Sequence, residues 1–250
     1  MQGDNLITIE GRNVVLEALK SGRNIKKIYL EEFLKGMKID SLISLAQRSN
    51  VSVEFVSRNF LKSISKTKSS QGVIALADRV SLITSTKFLE QVRDIEEVCV
   101  VVLHSLTYEQ NLGAILRSCA ASGVNALAIP KGRKTKITPV VERISMGGIN
   151  EVSIIQESFY SVISNLKKAG FRLIALEVTG KKEYFNEDLT GRVALIVGKE
   201  DETLDINLLN KVDITVKIPM IGKISSLNVS VATGIVLFER LRQMYGNIIR

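Results

Sequence analysis

The sequence contains few of the side chains that bind metals or form disulfides. Its 250 residues include one histidine and two cysteines. Cys99 and Cys119 are too few and too far apart in sequence for a metal cluster or a disulfide framework, so we expect both to pack as small apolar residues. A Ser-His-Asp triad would depend on His104 alone, and we expect this histidine to be a structural residue at a strand end. The sequence therefore predicts a protein without a metal site.

Long apolar runs are also absent. No uninterrupted run approaches the roughly 20 apolar residues that a membrane helix needs. Residues Met1 to Glu10 do not combine a basic region with an apolar stretch, as a secretory signal would. We therefore predict a cytoplasmic protein with no membrane partner.

Positive charge is in excess and unevenly distributed. The formal net charge is +8, which is typical of a protein with a polyanionic partner. No acidic residue occurs between Glu54 and Asp78, a stretch that contains Arg58, Lys62, Lys66 and Lys68. A second basic cluster follows a predicted strand and consists of Lys131, Arg133, Lys134 and Lys136. Basic runs are often solvated surface, but two of them in one chain favour contacts with phosphates.

The pattern of apolar residues divides the chain into two parts. Residues 1–80 show short helices and strands of a small α/β unit. Residues 81–97 are polar without a sustained apolar face, and we predict a linker there. A second pattern fills residues 98–250, which makes a two-domain protein the expected organisation.

In the second part, near-continuous apolar strands alternate with helices. This alternation predicts a parallel sheet that is covered by helices on both faces. Ligands of such sheets bind beyond the carboxyl ends of the strands. Three segments of unusual composition follow the predicted strand ends at Leu103, Val197 and Ile218. We therefore expect a functional site at this edge.

The segment after Leu103 opens a helix in which Arg117 is the only charged residue between Asn111 and Gly123. A guanidinium among such neighbours is costly unless it is paired or reaches an anion, so an internal salt bridge and an anionic ligand both remain possible. Asn111 is a suitable N-cap for this helix.

The segment from Ile218 to Gly234 begins as a strand, turns at Pro219 and Gly222 and enters a helix with small side chains. Small side chains allow the backbone to approach a ligand closely. Either Ser226 or Asn228 is suited to cap the helix.

These two segments resemble motifs one and three of the SpoU-type RNA ribose methyltransferases of the knotted SPOUT superfamily. Residues Gly11 to Leu19 and Gln71 to Val73 are similar to the family's N-terminal RNA-binding domain, so the resemblance spans nearly the whole chain. It implies an α/β fold with a C-terminal parallel-sheet SPOUT domain, a deep trefoil knot and a small N-terminal α/β ribosomal-protein-like RNA-binding domain.

The resemblance also implies an activity, which is transfer of a methyl group from S-adenosylmethionine to a ribose 2′-hydroxyl of RNA, with a guanosine of 23S ribosomal RNA as the expected target. It implies a homodimer with an interface on the terminal helix. The catalytic residues that it implies are Asn111, Arg117, Glu200, Ser226 and Asn228. The cofactor-binding residues that it implies are Gly198, Ile218, Met220 and Leu227. RNA contacts are expected from the matching positions Arg12, Asn13, Gln71 and Gly72, and from Lys66, Lys68, Lys131 and Arg133 of the basic runs.

Motif two departs from the family pattern. The usual order is glycine, any residue, glutamate, glycine, any residue, glycine, whereas this chain keeps Gly198 and Glu200 but has Asp201 and Thr203 in place of the later glycines. If those glycines need positive φ, the loop must differ or be strained, which would weaken cofactor binding. One alternative is therefore a non-catalytic RNA-binding or ribosome-assembly protein. Another is a ribose methyltransferase that acts on transfer RNA or confers antibiotic resistance through ribosomal RNA. Retention of the implied catalytic residues favours an active enzyme.

Overall fold

A computed structural model of the chain describes residues 6–131, 136–198 and 204–248, without the side chains of residues 206, 247 and 248. The chain divides into two compact units. The first unit comprises Met1–Val80 with Ile137–Glu151, and the second comprises Ser81–Lys136 with Val152–Arg250. Within the described residues, no helix has the length and apolar character needed to cross a membrane.

The first unit contains a four-stranded sheet of order β1-β4-β2-β3. β4 is antiparallel to both β1 and β2, and β3 is parallel to β2. The elements of this unit are β1 (Leu6–Glu10), α1 (Arg12–Lys20), β2 (Ile25–Glu31), α2 (Met37–Arg48), β3 (Ser52–Val56), α3 (Arg58–Ile64), β4 (Val73–Asp78) and α6 (Pro139–Ser145). The sequence pattern predicts most of them but misses β1 and α3, which are short.

The core of the first unit lies between the sheet and its amphipathic helices. Val15 of α1 and Leu42 of α2 are fully buried together with Ile9, Ile28 and Ala75 of the strands. Burying each large aliphatic side chain stabilises the fold by roughly 1.5–3 kcal/mol. This packing fixes the loops that join the strands at the sheet edge.

The second unit contains an eight-stranded sheet of order β10-β12-β9-β11-β6-β7-β8-β5. Each strand pairing that the structure describes in it is parallel, which confirms the predicted parallel sheet. Its strands are β5 (Leu82–Ile83), β6 (Val98–Leu103), β7 (Ala126–Pro130), β8 (Ser153–Glu157), β9 (Arg172–Leu176), β10 (Lys182–Glu183), β11 (Arg192–Val197) and β12 (Ile214–Lys217). Its helices are α4 (Ser85–Gln91), α5 (Glu109–Ala121), α7 (Phe159–Lys168), α8 (Ile206–Leu209) and α9 (Val229–Ile248).

Two segments differ from the predicted domain organisation. Residues 81–97, the predicted linker, form β5 and α4 of the second unit. Thr84 caps α4 and Phe88 buries its ring in the core, but a helix of 7 residues is too short to show a sustained apolar face in the sequence. Residues 137–151 belong to the first unit although they lie within the predicted second domain.

The order of strands places three carboxyl ends side by side. β9 lies between β12 and β11, and all three strands are parallel. The segments that follow Leu176, Val197 and Lys217 therefore leave the sheet at one edge. The trefoil knot stays a prediction from the resemblance.

Candidate active site

A cleft lies at the carboxyl ends of β9, β11 and β12, open to solvent and with an empty volume of about 550 Å³. The predicted cofactor-binding residues line it together with one predicted catalytic residue: Gly198, Ile218, Met220, Leu227 and Ser226. Val229 and Ala232 of α9 complete one side. The structure thus brings residues of the predicted motifs two and three to a single concave site.

Gly198 directly follows β11, at a position where Leu204 would crowd a side chain. A Cβ atom there would lie 2.9 Å from Leu204 Cδ2, closer than such atoms approach in proteins. A side chain at this position would therefore require a shift of the Leu204 side chain, which follows the motif-two loop. Residues 199–203 of that loop, including the predicted catalytic residue Glu200, lie outside the described residues.

Glu177 is a lining residue that the sequence reasoning missed. It directly follows β9, is 9% exposed and accepts a hydrogen bond from the backbone N of Leu204 at 3.0 Å. Burial raises the pKa of this carboxyl, an effect that the hydrogen bond from Leu204 partly offsets. The available signal was an acidic residue placed directly after an apolar strand whose carboxyl end reaches the site.

Asn111 and Asn228 meet although 117 positions separate them in the chain. The Asn228 amide nitrogen donates to Asn111 Oδ1 at 3.1 Å, which joins the first turn of α5 to the start of α9. Asn228 Oδ1 accepts from the backbone N and the hydroxyl of Ser230 at 2.9 and 2.6 Å, so this residue caps α9. The N-cap role predicted for Asn111 is wrong, because α5 begins at Glu109.

Arg117 is exposed on α5, and no ion pair is found for it among the residues that the structure describes. The internal salt bridge that its apolar neighbours allowed is therefore not formed with any residue in the described ranges. Arg117 is also not among the described residues that line the cleft. Arg117 lies six positions after Asn111 on α5, so the two side chains point in directions roughly 120° apart around the helix. A single chain thus presents this guanidinium to solvent.

Four predicted RNA-binding residues lie together at one edge of the four-stranded sheet. The backbone N and Nε of Arg12 donate to Gln71 Oε1 and Gln71 O at 3.2 and 3.0 Å. Gly72 is buried beside Gln71, and Asn13 Oδ1 accepts a hydrogen bond from Lys38 Nζ at 2.9 Å. We name this region, formed by the starts of α1 and β4, the Arg12 edge.

The loop that precedes Gln71 is held by the buried carboxylate of Glu10. Its oxygens accept hydrogen bonds from Ser65 Oγ at 2.7 Å, Thr67 Oγ1 at 2.6 Å and the backbone N of Lys66. Lys66 and Lys68 are exposed on this ordered loop, as a phosphate-binding role requires.

The remaining basic candidates lie in the second unit. Lys131 is exposed after β7, and Arg133 lies outside the described residues. The roles of these basic residues stay predictions.

The single histidine and the two cysteines pack against other side chains of the fold. His104 directly follows β6, and its ring packs edge-on against Phe159 with centroids 4.8 Å apart. Cys99 and Cys119 are buried free thiols, and burial raises the pKa of Cys99 to about 11. In the described part of the chain, no group of three histidine, cysteine or acidic side chains is arranged to hold a metal ion.

The parallel sheet, the cleft beyond its strand ends and the separate basic unit together define an α/β enzyme with a nucleic-acid substrate. Comparison with known families gives the particular class. Residues 98–238 match the SpoU rRNA Methylase family, and residues 8–82 match the RNA 2′-O ribose methyltransferase substrate binding family. The chain belongs to the SpoU family of RNA 2′-O-ribose methyltransferases, which confirms the predicted family and the enzyme class.

Individual relatives agree with this assignment along nearly the whole chain. A putative TrmH family tRNA/rRNA methyltransferase of Staphylococcus haemolyticus is 31% identical over 241 residues, covering 96% of each chain. A crystal structure of an RNA 2′-O ribose methyltransferase has a TM-score of 0.83 and 28% identity, and it covers 96% of this chain and 90% of its own. An AdoMet-bound rRNA methyltransferase from Sinorhizobium meliloti shares the fold, with a TM-score of 0.78, 23% identity and coverage of 96% and 88%.

Proposed function

We propose that this enzyme methylates the ribose 2′-hydroxyl of a guanosine in 23S ribosomal RNA. The cleft at the carboxyl ends of β9, β11 and β12 carries this proposal, because it collects the residues that the family resemblance implies for the cofactor. Ribosomal RNA is supported by the family that residues 98–238 match and by the basic Arg12 edge of the first unit. A cytoplasmic location and the absence of a metal stay predictions.

The cleft fits S-adenosylmethionine, the methyl donor of this family. Ile218, Met220 and Leu227 provide an apolar wall, and Gly198 also lines the cleft. Glu177 places a carboxylate in the same cleft, which complements a ligand with positive charge. When bound, the cofactor supplies a methyl group on a positively charged sulfur.

The chain's own residues must activate a ribose hydroxyl, which is a weak nucleophile at neutral pH. Asn111 and Asn228 form a neutral polar pair that orients the hydroxyl, with Ser226 beside them on the wall of the cleft. Arg117 holds an RNA phosphate and stabilises the negative charge that develops on the oxygen. A guanidinium stays protonated at neutral pH, so the hydroxyl proton leaves to phosphate or water.

We propose further that the enzyme is a homodimer in which α9 lies at the interface. Val231, Phe238 and Tyr245 are exposed apolar residues of α9 at heptad spacing, so they form one stripe along the helix. We propose that the same dimer places Arg117 of one chain at the cleft of the other. Because Arg117 is not among the described residues that line its own cleft, this arrangement supplies the missing cation.

The dimer is tested by Phe238→Glu, which places a charge in the proposed interface. We expect a dimeric wild type and a monomeric variant in sedimentation equilibrium, because an unpaired charge is costly to bury. Phe55→Glu, at an exposed phenylalanine of β3, is the control and should leave the mass unchanged. A monomeric wild type would contradict the proposal.

The proposed activity is tested by titrating the protein with S-adenosylmethionine in a calorimeter and then supplying labelled cofactor with unmodified transcripts of 23S, 16S and transfer RNA. We expect measurable binding and a label on ribose of 23S RNA guanosine. Labelling of transfer RNA alone would overturn the proposed target. Absence of cofactor binding would favour the non-catalytic alternative, in which the motif-two substitutions disable the cleft.

Glu177→Gln should make cofactor binding weaker and insensitive to pH. The raised pKa of Glu177 means that its charge is lost at a higher pH than for an ordinary glutamate. In the wild type, affinity for the cationic cofactor should fall as pH decreases through that pKa, whereas the variant should bind about tenfold more weakly at neutral pH and show no such fall. Calorimetric titrations between pH 5 and pH 8 measure both effects.

The same substitution has an opposite effect on folding. A carboxyl whose pKa is raised in the fold stabilises the protein below its unfolded-state pKa and loses that contribution as pH rises, so its charged form opposes folding at neutral pH. Glu177→Gln should therefore keep or raise the Tm at pH 7. Glu96→Gln, at an exposed position of the same unit, is the control for both measurements.

Identical pH dependence of cofactor binding in wild type and Glu177→Gln would contradict the role in cofactor binding that is given to this carboxylate.

A further inference from the structure

Phe33 is the most exposed aromatic side chain among the described residues, with 92% of its surface accessible. It follows β2 and adopts φ = 63°, in the left-handed region that bulky residues rarely occupy. Such a conformation costs folding free energy and persists where the surrounding structure enforces it. An aromatic ring displayed to solvent on a strained backbone is an unusual arrangement, and function is a common reason for one.

The neighbours of Phe33 enforce its conformation. The backbone N of Leu34 donates to Glu31 O at 3.3 Å, which closes a tight turn around Phe33. The Leu34 side chain packs against the core and lies so close to Gly72 that a Cβ atom on this glycine would be 2.8 Å from Leu34 Cδ2. The inward position of Leu34 thus leaves the preceding ring outside.

The turn belongs to the Arg12 edge. The backbone N of Glu31 donates to Gly72 O at 2.9 Å, next to the Arg12 to Gln71 hydrogen bonds. Lys35 is exposed in the same turn, and Lys38 reaches Asn13 at the other side of the edge. Met37, 86% exposed, adds a second apolar side chain. The edge therefore combines an exposed ring with cations and hydrogen-bond donors.

We propose that Phe33 is a stacking platform for an unpaired base of the substrate RNA, a proposal that rests on the RNA-binding role of the first unit. Sequence-tolerant RNA recognition pairs aromatic side chains, on which splayed bases stack, with lysines and arginines that follow the backbone. Here Lys35, Lys38 and Arg12 provide the cations. A protein partner is less well matched, because the ring and Met37 are flanked by charged residues and form no extended apolar surface. The substrate RNA would thus contain a loop, bulge or other unpaired region at this contact.

The sequence contains no tryptophan, so Phe33→Trp introduces a single indole at the proposed contact. Addition of a single-stranded RNA oligonucleotide should quench its fluorescence by stacking and leave affinity at or above that of the wild type. A duplex of the same composition should quench it much less, since its bases are already stacked. Quenching is a readout that a purely structural role of Phe33 would not produce.

Phe33→Ala should weaken binding of the same single-stranded oligonucleotide by about ten- to a hundredfold, as expected for loss of one base stack. Phe33→Gly should weaken it equally and raise the Tm, because glycine accepts positive φ without strain. Phe55→Ala, at a phenylalanine of β3 that is 56% exposed, is the matched control and should bind RNA as the wild type does.

Three results would overturn the proposal: unchanged RNA affinity in Phe33→Ala, an indole that RNA does not quench, or an equal loss of affinity in Phe55→Ala. These experiments need no methyl transfer. If the wild type binds the oligonucleotide and the oligonucleotide quenches the indole of Phe33→Trp, but no ribosomal RNA is methylated, the proposed target is refuted and the platform is retained.

Discussion

Arg117→Ala should reduce methyl transfer by about 10²- to 10³-fold, the loss typical of removing one group that stabilises developing negative charge. The dissociation constant for S-adenosylmethionine should stay within about twofold of the wild-type value, because the described lining of the cleft does not include Arg117. Single-turnover transfer of labelled methyl to RNA measures the first quantity and calorimetry the second. The split between the two is the expected signature of a residue that acts on the substrate RNA.

Two comparisons sharpen the Arg117 experiment. Lys168→Ala removes another exposed cation of the second unit and should leave turnover nearly unchanged. Arg117→Lys keeps the charge without the bidentate geometry, so it should recover part of the rate. A titration in the pH-rate profile that vanishes in Arg117→Ala but persists in Arg117→Lys would instead assign a base to this position. Equal loss of turnover and cofactor affinity would contradict the proposed division of roles.

Mixing two inactive variants tests whether each active site of the dimer is built from both chains. Gly198→Val should block cofactor binding, since its side chain would meet Leu204. If each site uses Arg117 from one chain and the cleft from the other, equal mixing with Arg117→Ala gives heterodimers with one intact site. Statistical exchange then predicts recovery of about a quarter of wild-type activity. No recovery after demonstrated subunit exchange would place both functions in the same chain.

The local pattern of apolar residues predicts the bounds of those helices and strands whose apolar runs are long or regular. The sequence pattern predicts strands over Val98–Leu103 and Arg172–Leu176 and a helix over Pro139–Ser145, which are the bounds of β6, β9 and α6. Continuous burial of a parallel strand and a proline at the first helical position both leave a direct trace in the sequence. The sequence pattern predicts that the terminal helix begins at about Ser226, three residues before the observed start of α9 at Val229. Small polar residues suit both a helix and the extended turn that precedes it, so they do not mark the boundary.

The site could be predicted by resemblance but not by periodicity. Nothing local indicates that Asn111 and Asn228 share a hydrogen bond, because their meeting depends on how α5 and α9 pack. Glu177 could not be predicted by resemblance either, because no motif includes it. Only the strand order β12-β9-β11 brings the end of β9, and with it Glu177, into the cleft. Periodicity in the sequence predicts helices and strands, whereas the site depends on contacts between elements that are distant in sequence.

The assignment of residues 137–151 to the first unit is the clearest case of such a distant contact. The two terminal guanidinium nitrogens of Arg23, Nη1 and Nη2, donate to Glu142 at 2.8 Å. Nη1 also donates to Asn150 Oδ1 at 3.4 Å, and Nε donates to Asp78 O at 2.9 Å. The side chains of Arg23 and Glu142 are 7% and 0% exposed. A sequence reading assigns Glu142 to the domain that surrounds it, because the partner lies 119 positions away.

Arg23→Met should destabilise the protein by about 3–5 kcal/mol, because it leaves the Glu142 carboxylate buried without a counter-charge. Urea unfolding, followed by circular dichroism, would show a lower midpoint, with an additional early transition if the first unit unfolds separately. The combination of Arg23→Met with Glu142→Leu should recover most of the loss, since an apolar pair of similar volume removes the uncompensated charge.

Lys20→Met provides the comparison for Arg23→Met, because Lys20 pairs with Glu17 on the surface of the same unit, where the side chains are 52% and 38% exposed. Its effect should be small, since solvent screens an exposed pair. If Arg23→Met were as mild as Lys20→Met, the buried pair would not be what fastens α6 to the first unit. If the double variant were less stable than Arg23→Met alone, the cost would arise from lost packing and hydrogen bonds to Asp78 and Asn150. Recovery in the double variant would show that burial of an unpaired Glu142 causes the loss.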